Sequence, residues 1–274
     1  MISSVGNPKV KRIVSLQSRG REREKEKVFV TEGKKMFMEA PVSWIREIYL
    51  AQDKRERMED GDFLERLRVC KEGGAVLETV SGEVFAKMSD TMAPQGILCV
   101  LGRPRFDRER ILEKALRQKE EKDRPPLFLL LEDIQDPGNL GTMIRTAEGA
   151  GADALFMTGG TVDIYNPKTI RATMGSLYRV PFFYVDGLKE TIELLRQRGI
   201  TVYAAHLKGE KFYQEMDYAG GSAFLIGNEA RGLRQETAEC ADCFLRIPME
   251  GELESLNAAV AAALLMYQSR FEKK

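Results

Sequence analysis

Three short stretches in the second half of the sequence carry residue types that do chemistry. The first is Asn139-Leu-Gly141-Thr-Met-Ile-Arg145, the second Gly227-Asn-Glu229-Ala-Arg-Gly232-Leu233, and the third Ile247-Pro-Met249 followed by Ser255-Leu256-Asn257. Together they supply amides, a carboxylate, a hydroxyl and a guanidinium, interleaved with glycines, and each lies just past an apolar run. Arg145 stands four residues after Gly141, so on a helix the two share a face. An arginine toward the start of a helix opposes its dipole, which suggests service to an outside anion such as a phosphate. Gly227 at a strand end permits a sharp exit and leaves backbone amides bare. Glu229 reads most simply as a dipole partner in the first turn of a helix over 230–240, and Ser255 as an amino-terminal cap. Neither role accounts for Asn257 in a first turn, where Ala or Glu would stabilise a helix better.

Other chemistries lack their residues. No Gly-x-Gly-x-x-Gly follows a strand, and Gly149-Ala-Gly151 falls where a helix should stop. There is no phosphate loop and no metal-ligand cluster. Cys240-Ala-Asp-Cys243 has zinc-knuckle spacing without a second pair nearby, so these thiols, with Cys70 and Cys99, read as reduced. His206, the only histidine, has no Cys or Ser partner in a recognisable motif and is not expected to act as a base.

The elements that must position these groups alternate. Apolar runs at 127–131, 154–157, 182–185, 201–205, 223–226 and 244–247 read as strands. Helical patterns at 138–150, 167–175, 187–198, 230–240 and 255–270 separate them, with Asn166-Pro167 as one start signal. Such alternation predicts a parallel sheet covered on both faces, with ligands beyond the carboxyl ends of its strands, where all three stretches fall. The first hundred residues predict a second, smaller α/β unit. It has helices over 7–19, from Thr31-Glu32-Gly33 to Ala40, and over 53–71 with Phe63, Leu64 and Leu67 inside. Its strands are Val28–Val30, Trp44–Leu50, Ala75–Val80 and Ile97–Leu101. Between Arg103 and Pro126, 15 of 24 residues are charged, which predicts an exposed linking helix over 107–122. The expected division is 1–104, a linker at 105–124, and 125–274.

Formal net charge is zero, with 42 basic and 42 acidic residues, which argues against nonspecific coating of nucleic acid. Residues 1–27 nevertheless hold eight Lys/Arg against three Glu, a basic arm suited to selective contact with a polyanion. No secretory leader is evident. The longest apolar stretch, Ala258 to Tyr267, is about half of the roughly 20 residues a membrane span needs. The expectation is a soluble, cytoplasmic protein without a membrane partner.

The three stretches, in this order, resemble the three motifs of the SpoU/TrmH branch of the SPOUT RNA methyltransferases. The resemblance covers residues 125–270 and includes Asn166-Pro167-Lys168, Arg171 and Gly175, with Thr173 and Gln268 as minor departures. It implies an α/β fold whose carboxyl-terminal parallel sheet carries a deep trefoil knot, which ordinary topology rules would exclude. It further implies a homodimer and methyl transfer from S-adenosyl-L-methionine to an RNA ribose 2′-hydroxyl. By position, backbone groups at Gly227, Ile247 and Leu256 would hold the adenosine part. Ser4-x-Gly6-Asn7-Pro8-x-Val10-Lys11 and Phe29-Val30-Thr31-Glu32-Gly33 look like the opening of the ribosomal-protein-like substrate-binding domain of the rRNA enzymes, which favours large-subunit rRNA over tRNA.

In that reading Arg145 clamps a substrate phosphate and stabilises the developing alkoxide, while Asn139, Glu229, Ser255 and Asn257 orient the network. A guanidinium stays protonated and so makes a poor base. The alternatives are a tRNA ribose methyltransferase, a catalytically silent RNA-binding protein of the same fold, a base methylator, and an unrelated nucleotide-cofactor enzyme such as a dehydrogenase.

Overall fold

The computed structural model describes residues 1–54, 60–206, 209, 211–253 and 255–271. The chain forms two compact units, one of Met1–Arg105 with Asp163–Tyr178, the other of Phe106–Val162 with Arg179–Lys274.

In the first unit, β1 (Val28–Glu32), β2 (Ile45–Ala51), β3 (Val76–Val80) and β4 (Ile97–Gly102) form a sheet in the order β1-β4-β2-β3. The β2–β3 pair is parallel and the other two are antiparallel. Helices α1 (Pro8–Ser18), α2 (Gly20–Glu26), α3 (Lys34–Glu39), α4 (Gly61–Glu72) and α5 (Gly82–Met88) accompany it. Short polar side chains start three of them. Asn7 accepts from the Lys9 amide, Asp60 from Phe63 and Ser81 from Val84. One face of α1 buries Val10, Ile13 and Leu16 in a core with Val30, Tyr49 and Phe85. In α4 the buried stripe runs Phe63, Leu67, Cys70, while Leu64, expected inside, is 46% exposed because it lies off the i, i+4, i+7 line. The helix expected over 53–71 includes residues 55–59, which lie outside the described residues.

The second unit carries a seven-stranded, wholly parallel sheet, the class expected from the alternation. Its strands are β5 (Leu127–Leu131), β6 (Ala154–Thr158), β7 (Phe182–Val185), β8 (Thr201–Ala205), β9 (Lys211–Phe212), β10 (Ser222–Ile226) and β11 (Cys243–Arg246), in the order β7-β6-β5-β10-β8-β11-β9. Every residue of β5, β6 and β10 is buried, which explains their unbroken apolar character. The two-residue edge strand β9 gave no periodic signal. The helices are α6 (Arg108–Lys122), α7 (Pro137–Ala150), α9 (Lys189–Gln197), α10 (Gln235–Ala238) and α11 (Ala258–Phe271). In chain order α8 (Pro167–Thr173) belongs with the first unit. Strands β5 and β10 are neighbours, and the connections that leave them run to opposite sides, to β6 and to β11. A crevice for ligands forms at such a reversal, beyond the carboxyl ends.

Two parts of the expected division differ from these units. Helix α6, read as a solvated linker, packs into the second unit. Leu112 and Ala115 are buried in a core with Phe128, Leu130 and Phe156, and Ile111 and Leu116 lie against it. Two or three apolar positions at helical spacing suffice to seat one face, however charged the rest is. The segment Asp163–Tyr178, assigned by sequence order to the carboxyl-terminal domain, packs in the first unit. Asp163 pairs with Arg23 at 2.6 Å, Tyr165 stacks on Phe29 at 4.7 Å between centroids, and Arg171 reaches Asp90 at 2.6 Å.

Candidate active site

Three strand ends of the second unit and the entry to its last helix surround one cavity of about 410 Å3. Ala205 and His206 line it from the end of β8, Ile226 to Leu233 from the end of β10, Leu245, Arg246, Ile247 and Met249 from the end of β11, and Ser255, Leu256, Ala258 and Ala261 from the entry to α11. That volume lies within the roughly 300–1,000 Å3 typical of small-molecule sites. Gly227, Ile247 and Leu256, expected to hold a cofactor, all line it, as do Glu229 and Ser255.

The wall closes as tightly as it does because residue 227 has no side chain. A Cβ there would lie 2.2 Å from the Gly232 carbonyl carbon and 2.2 Å from the Leu233 nitrogen. The loop after β10 folds back as a tight turn. Asn228 and Gly232 exchange backbone hydrogen bonds of 3.1 and 2.9 Å, and Gly232 takes the left-handed conformation at φ +69°. The turn is also anchored from outside. The buried carboxylate of Glu132, one residue past β5, accepts from the Arg234 amide at 2.7 Å, from its Nε at 2.9 Å and from the Thr237 hydroxyl. The Asn228 side chain donates to the Asp133 carbonyl at 2.8 Å. Sequence reasoning missed Glu132. Its signal was a carboxylate directly after a fully apolar strand, where burial demands a partner.

Glu229 does not sit in a first helical turn. The expected helix over 230–240 is reduced to α10, and Glu229 lies in the turn before it. Its carboxylate instead meets the start of α7. It accepts from the backbone amides of Gln135 and Asp136 and from the Asn139 side chain, each at 3.0 Å. The dipole it serves is thus that of a helix about 90 residues earlier in the chain. Desolvation at this wall pushes its carboxyl up. The Gln135 amide, the Asn139 side chain and the Asp136 amide outweigh that, and the carboxyl lies below its ordinary value of 4.5. Glu229 is therefore ionised at neutral pH.

Asn257, not Ser255, caps the last helix. Its Oδ1 accepts from the Ala259 amide at 2.9 Å and the Val260 amide at 3.3 Å, which explains a residue that seemed misplaced in a first turn. Its Nδ2 donates to Asn139 Oδ1 at 2.9 Å. Ser255 lies upstream in the connection and lines the cavity. Asn139 is held in turn by the start of α7, where Asp136 caps the helix by accepting from the Asn139 amide at 2.8 Å and Pro137 takes the first position.

Four of the five expected catalytic residues thus converge. Asn139, Glu229 and Asn257 join in one hydrogen-bonded chain, and Ser255 lines the same cavity as Glu229. Arg145 stands apart. It is the ninth residue of α7, not near its start, so the dipole argument does not apply to it. Six residues from Asn139, it is roughly 9 Å further along the axis and about 120° round it. Its side chain is exposed, does not line the cavity, and makes no hydrogen bond or ion pair to another described residue. His206 lines the cavity with its ring stacked on Phe244 at 5.1 Å.

Residues 126–267 match the family model of the SpoU rRNA Methylase family, and residues 7–99 match that of the MRM3-like substrate binding domain. The chain is 34% identical over 271 residues to the 23S rRNA (guanosine(2553)-2'-O)-methyltransferase RlmP of Bacillus subtilis (strain 168), covering 98% of each chain. It is 30% identical to the 23S rRNA (guanosine-2'-O-)-methyltransferase RlmB of Ralstonia nicotianae, over 82% of this chain and 87% of that one. An AdoMet-bound rRNA methyltransferase from Sinorhizobium meliloti aligns with a TM-score of 0.84 at 28% identity, over 98% of this chain and 96% of that one. This chain belongs to the SpoU rRNA methylase family.

Proposed function

We propose that this protein transfers a methyl group from S-adenosylmethionine to a ribose 2′-hydroxyl of RNA, and that its substrate is large-subunit rRNA. The observation that carries this reading is the hydrogen-bonded chain Asn257–Asn139–Glu229, which joins the segments that follow β5, β10 and β11 and whose Glu229 lines the cavity. The residues present fit the donor. A bare backbone at Gly227 lets the turn close against it, and Gly227, Ile247 and Leu256 line the cavity, where their main-chain groups would meet an adenosine. When bound, the donor supplies an electrophilic methyl group on a sulfonium. The chain's own residues do the rest. Glu229, ionised, fixes Asn139, and Asn139 and Asn257 hold one edge of the site rigid. Positioning of this kind supplies roughly 7–11 kcal/mol of barrier reduction in favourable cases. Arg145 clamps an RNA phosphate and stabilises negative charge developing on the ribose oxygen.

The functional unit in this proposal is a homodimer in the cytoplasm. Helix α11 leaves Val260, Leu264, Tyr267 and Phe271 exposed at i, i+4, i+7, i+11, a continuous apolar stripe that a second copy would cover. The same association gives Arg145 a site to act on, because within one protomer it lies outside the cavity wall. The small-residue run from Ala258 to Ala263, together with the return of α11 against α7, suits the knotted chain crossing of the family. The first unit serves as the RNA-binding domain.

The test is methylation of rRNA with labelled donor followed by alkaline hydrolysis. A 2′-O-methylated linkage survives alkali, so the label should appear in an alkali-stable dinucleotide. Label recovered in mononucleotides would mean base methylation and would refute the proposal.

A further inference from the structure

Two arginines in the cavity wall have no acidic partner among the described residues. Arg231 lies inside the Asn228–Gly232 turn, and its backbone amide is held by Asn228 Oδ1 at 3.0 Å, so its Cα is fixed. Its guanidinium is exposed and makes no hydrogen bond or ion pair to another described residue. Arg246, the last residue of β11, lies with its guanidinium over the Phe212 ring, 4.6 Å from the centroid, and also lacks a described acidic partner. Glu229, the carboxylate in the same wall, is occupied by the Gln135 and Asp136 amides and by Asn139. It does not neutralise either arginine. Two guanidiniums without an acidic partner among the described residues, one of them oriented by an aromatic face, favour a ligand that brings its own carboxylate.

We propose that Arg231 and Arg246 bind the carboxylate of the methionine tail of S-adenosylmethionine. The assignment rests on the reading of this cavity as the donor site. An RNA phosphate is the competing anion. The carboxylate is favoured because both arginines share the wall with Gly227, Ile247 and Leu256, which are assigned to the donor, whereas Arg145 lies outside it and is available to RNA.

The experiment is calorimetric titration of the full-length protein with S-adenosylmethionine and with decarboxylated S-adenosylmethionine. The second compound keeps adenosine, sulfonium and ammonium and lacks only the carboxylate. Wild-type protein should bind the intact donor about tenfold more tightly, as expected for a charge-assisted pair. Arg231→Gln and Arg246→Gln should each narrow that preference to about threefold or less, by weakening the intact donor and leaving the decarboxylated one unchanged. Equal affinity of the wild type for the two compounds would overturn the assignment. So would variants that weaken both equally, or variants whose only deficit is RNA retention on a filter, the mark of a phosphate contact. Uptake of neither compound by the wild type would instead overturn the donor-site reading, and this assignment with it.

Discussion

The side-chain amide of Asn257 donates to that of Asn139 at 2.9 Å, joining two residues 118 apart in sequence. The direction of that bond is fixed from the far end. Asn257 spends its oxygen on capping α11, so its nitrogen is what it can offer Asn139. Asn139 must then present its oxygen to Asn257 and its nitrogen to Glu229, where the bond is 3.0 Å. A helix cap thereby sets the orientation of two side-chain amides and, through them, which group is offered to the carboxylate.

Asn139→Asp tests that chain with almost no change of shape. It replaces a donor to Glu229 by a second carboxylate at the same place, so attraction becomes like-charge repulsion. Hydrogen bonds to charged groups contribute about 1.5–3 kcal/mol, so the variant should lose roughly 10- to 100-fold in turnover. Single-turnover methylation of rRNA measures this. An unchanged rate would show that the chain is not part of the working site.

Gly227→Ala and Gly232→Asn should separate crowding from conformation. At 227 a Cβ would lie 2.2 Å from backbone of the opposing strand of the turn, with no flexible side chain to yield. The loss should be roughly 3 kcal/mol or more, together with loss of donor binding. At 232 the constraint is φ +69° with open space around it, which Asn tolerates, so the cost should stay under about 1 kcal/mol. Urea unfolding and donor titration on both variants give the comparison.

Much of this architecture was legible in the sequence, for identifiable reasons. Strands β5, β6 and β10 are buried on both faces, so their apolar runs had no other reading, and Asp136-Pro137 and Asn166-Pro167 announce helix starts by local chemistry. What was hidden depends on partners remote in sequence. Glu229 looked like an aid to its own helix because nothing local reveals that the amides of Gln135 and Asp136 arrive beside it. Ser255 took the capping role by residue type, although the helix begins three residues later and Asn257 holds the cap. The charge of α6 masked a face that needs only Leu112 and Ala115 to seat it. The segment Asp163–Tyr178 follows the β5–β6 pattern in order and yet folds elsewhere, a choice made by Arg23 and Phe29.

Acid should weaken the protein through Glu229. Its folded carboxyl lies below the ordinary 4.5, so the unfolded chain takes up a proton first. The stabilisation is fully present above that ordinary value and is lost as pH falls through the folded value. Urea midpoints across the acidic range should fall more steeply for wild type than for Glu229→Gln, which cannot titrate. Parallel profiles would mean that the contacts of Glu229 add nothing to stability.

Asp163→Asn addresses the displaced segment. Arg23 is 4% exposed, and its guanidinium donates to the Leu16 and Gln17 carbonyls as well as to Asp163. Removing the carboxylate leaves a buried cation with neutral acceptors only, at a cost of about 2–3 kcal/mol. Thermal unfolding followed at Trp44, the single tryptophan and a residue of this unit, should report the shift. A midpoint equal to wild type would show that Asp163 does not anchor the segment.

Arg145 presents the sharpest test of a site shared between two copies. Arg145→Lys keeps the charge but not the planar fork that matches a phosphate. Turnover should fall about 100-fold or more while donor affinity stays within a few fold, because the residue lies outside the cavity wall. Whether it serves its own protomer follows from mixing. Arg145→Ala and Glu229→Ala proteins, each inactive, are co-expressed so that protomers pair at random. If Arg145 acts across the interface, each mixed dimer holds one site with both residues intact, and activity recovers to about a quarter of wild type. If it acts within its own chain, every site in a mixed dimer lacks one of the two, and no activity returns. The apolar stripe of α11 supplies the control. Leu264→Glu places a charge on that stripe and should abolish both the dimer, seen by sedimentation, and the recovery on mixing.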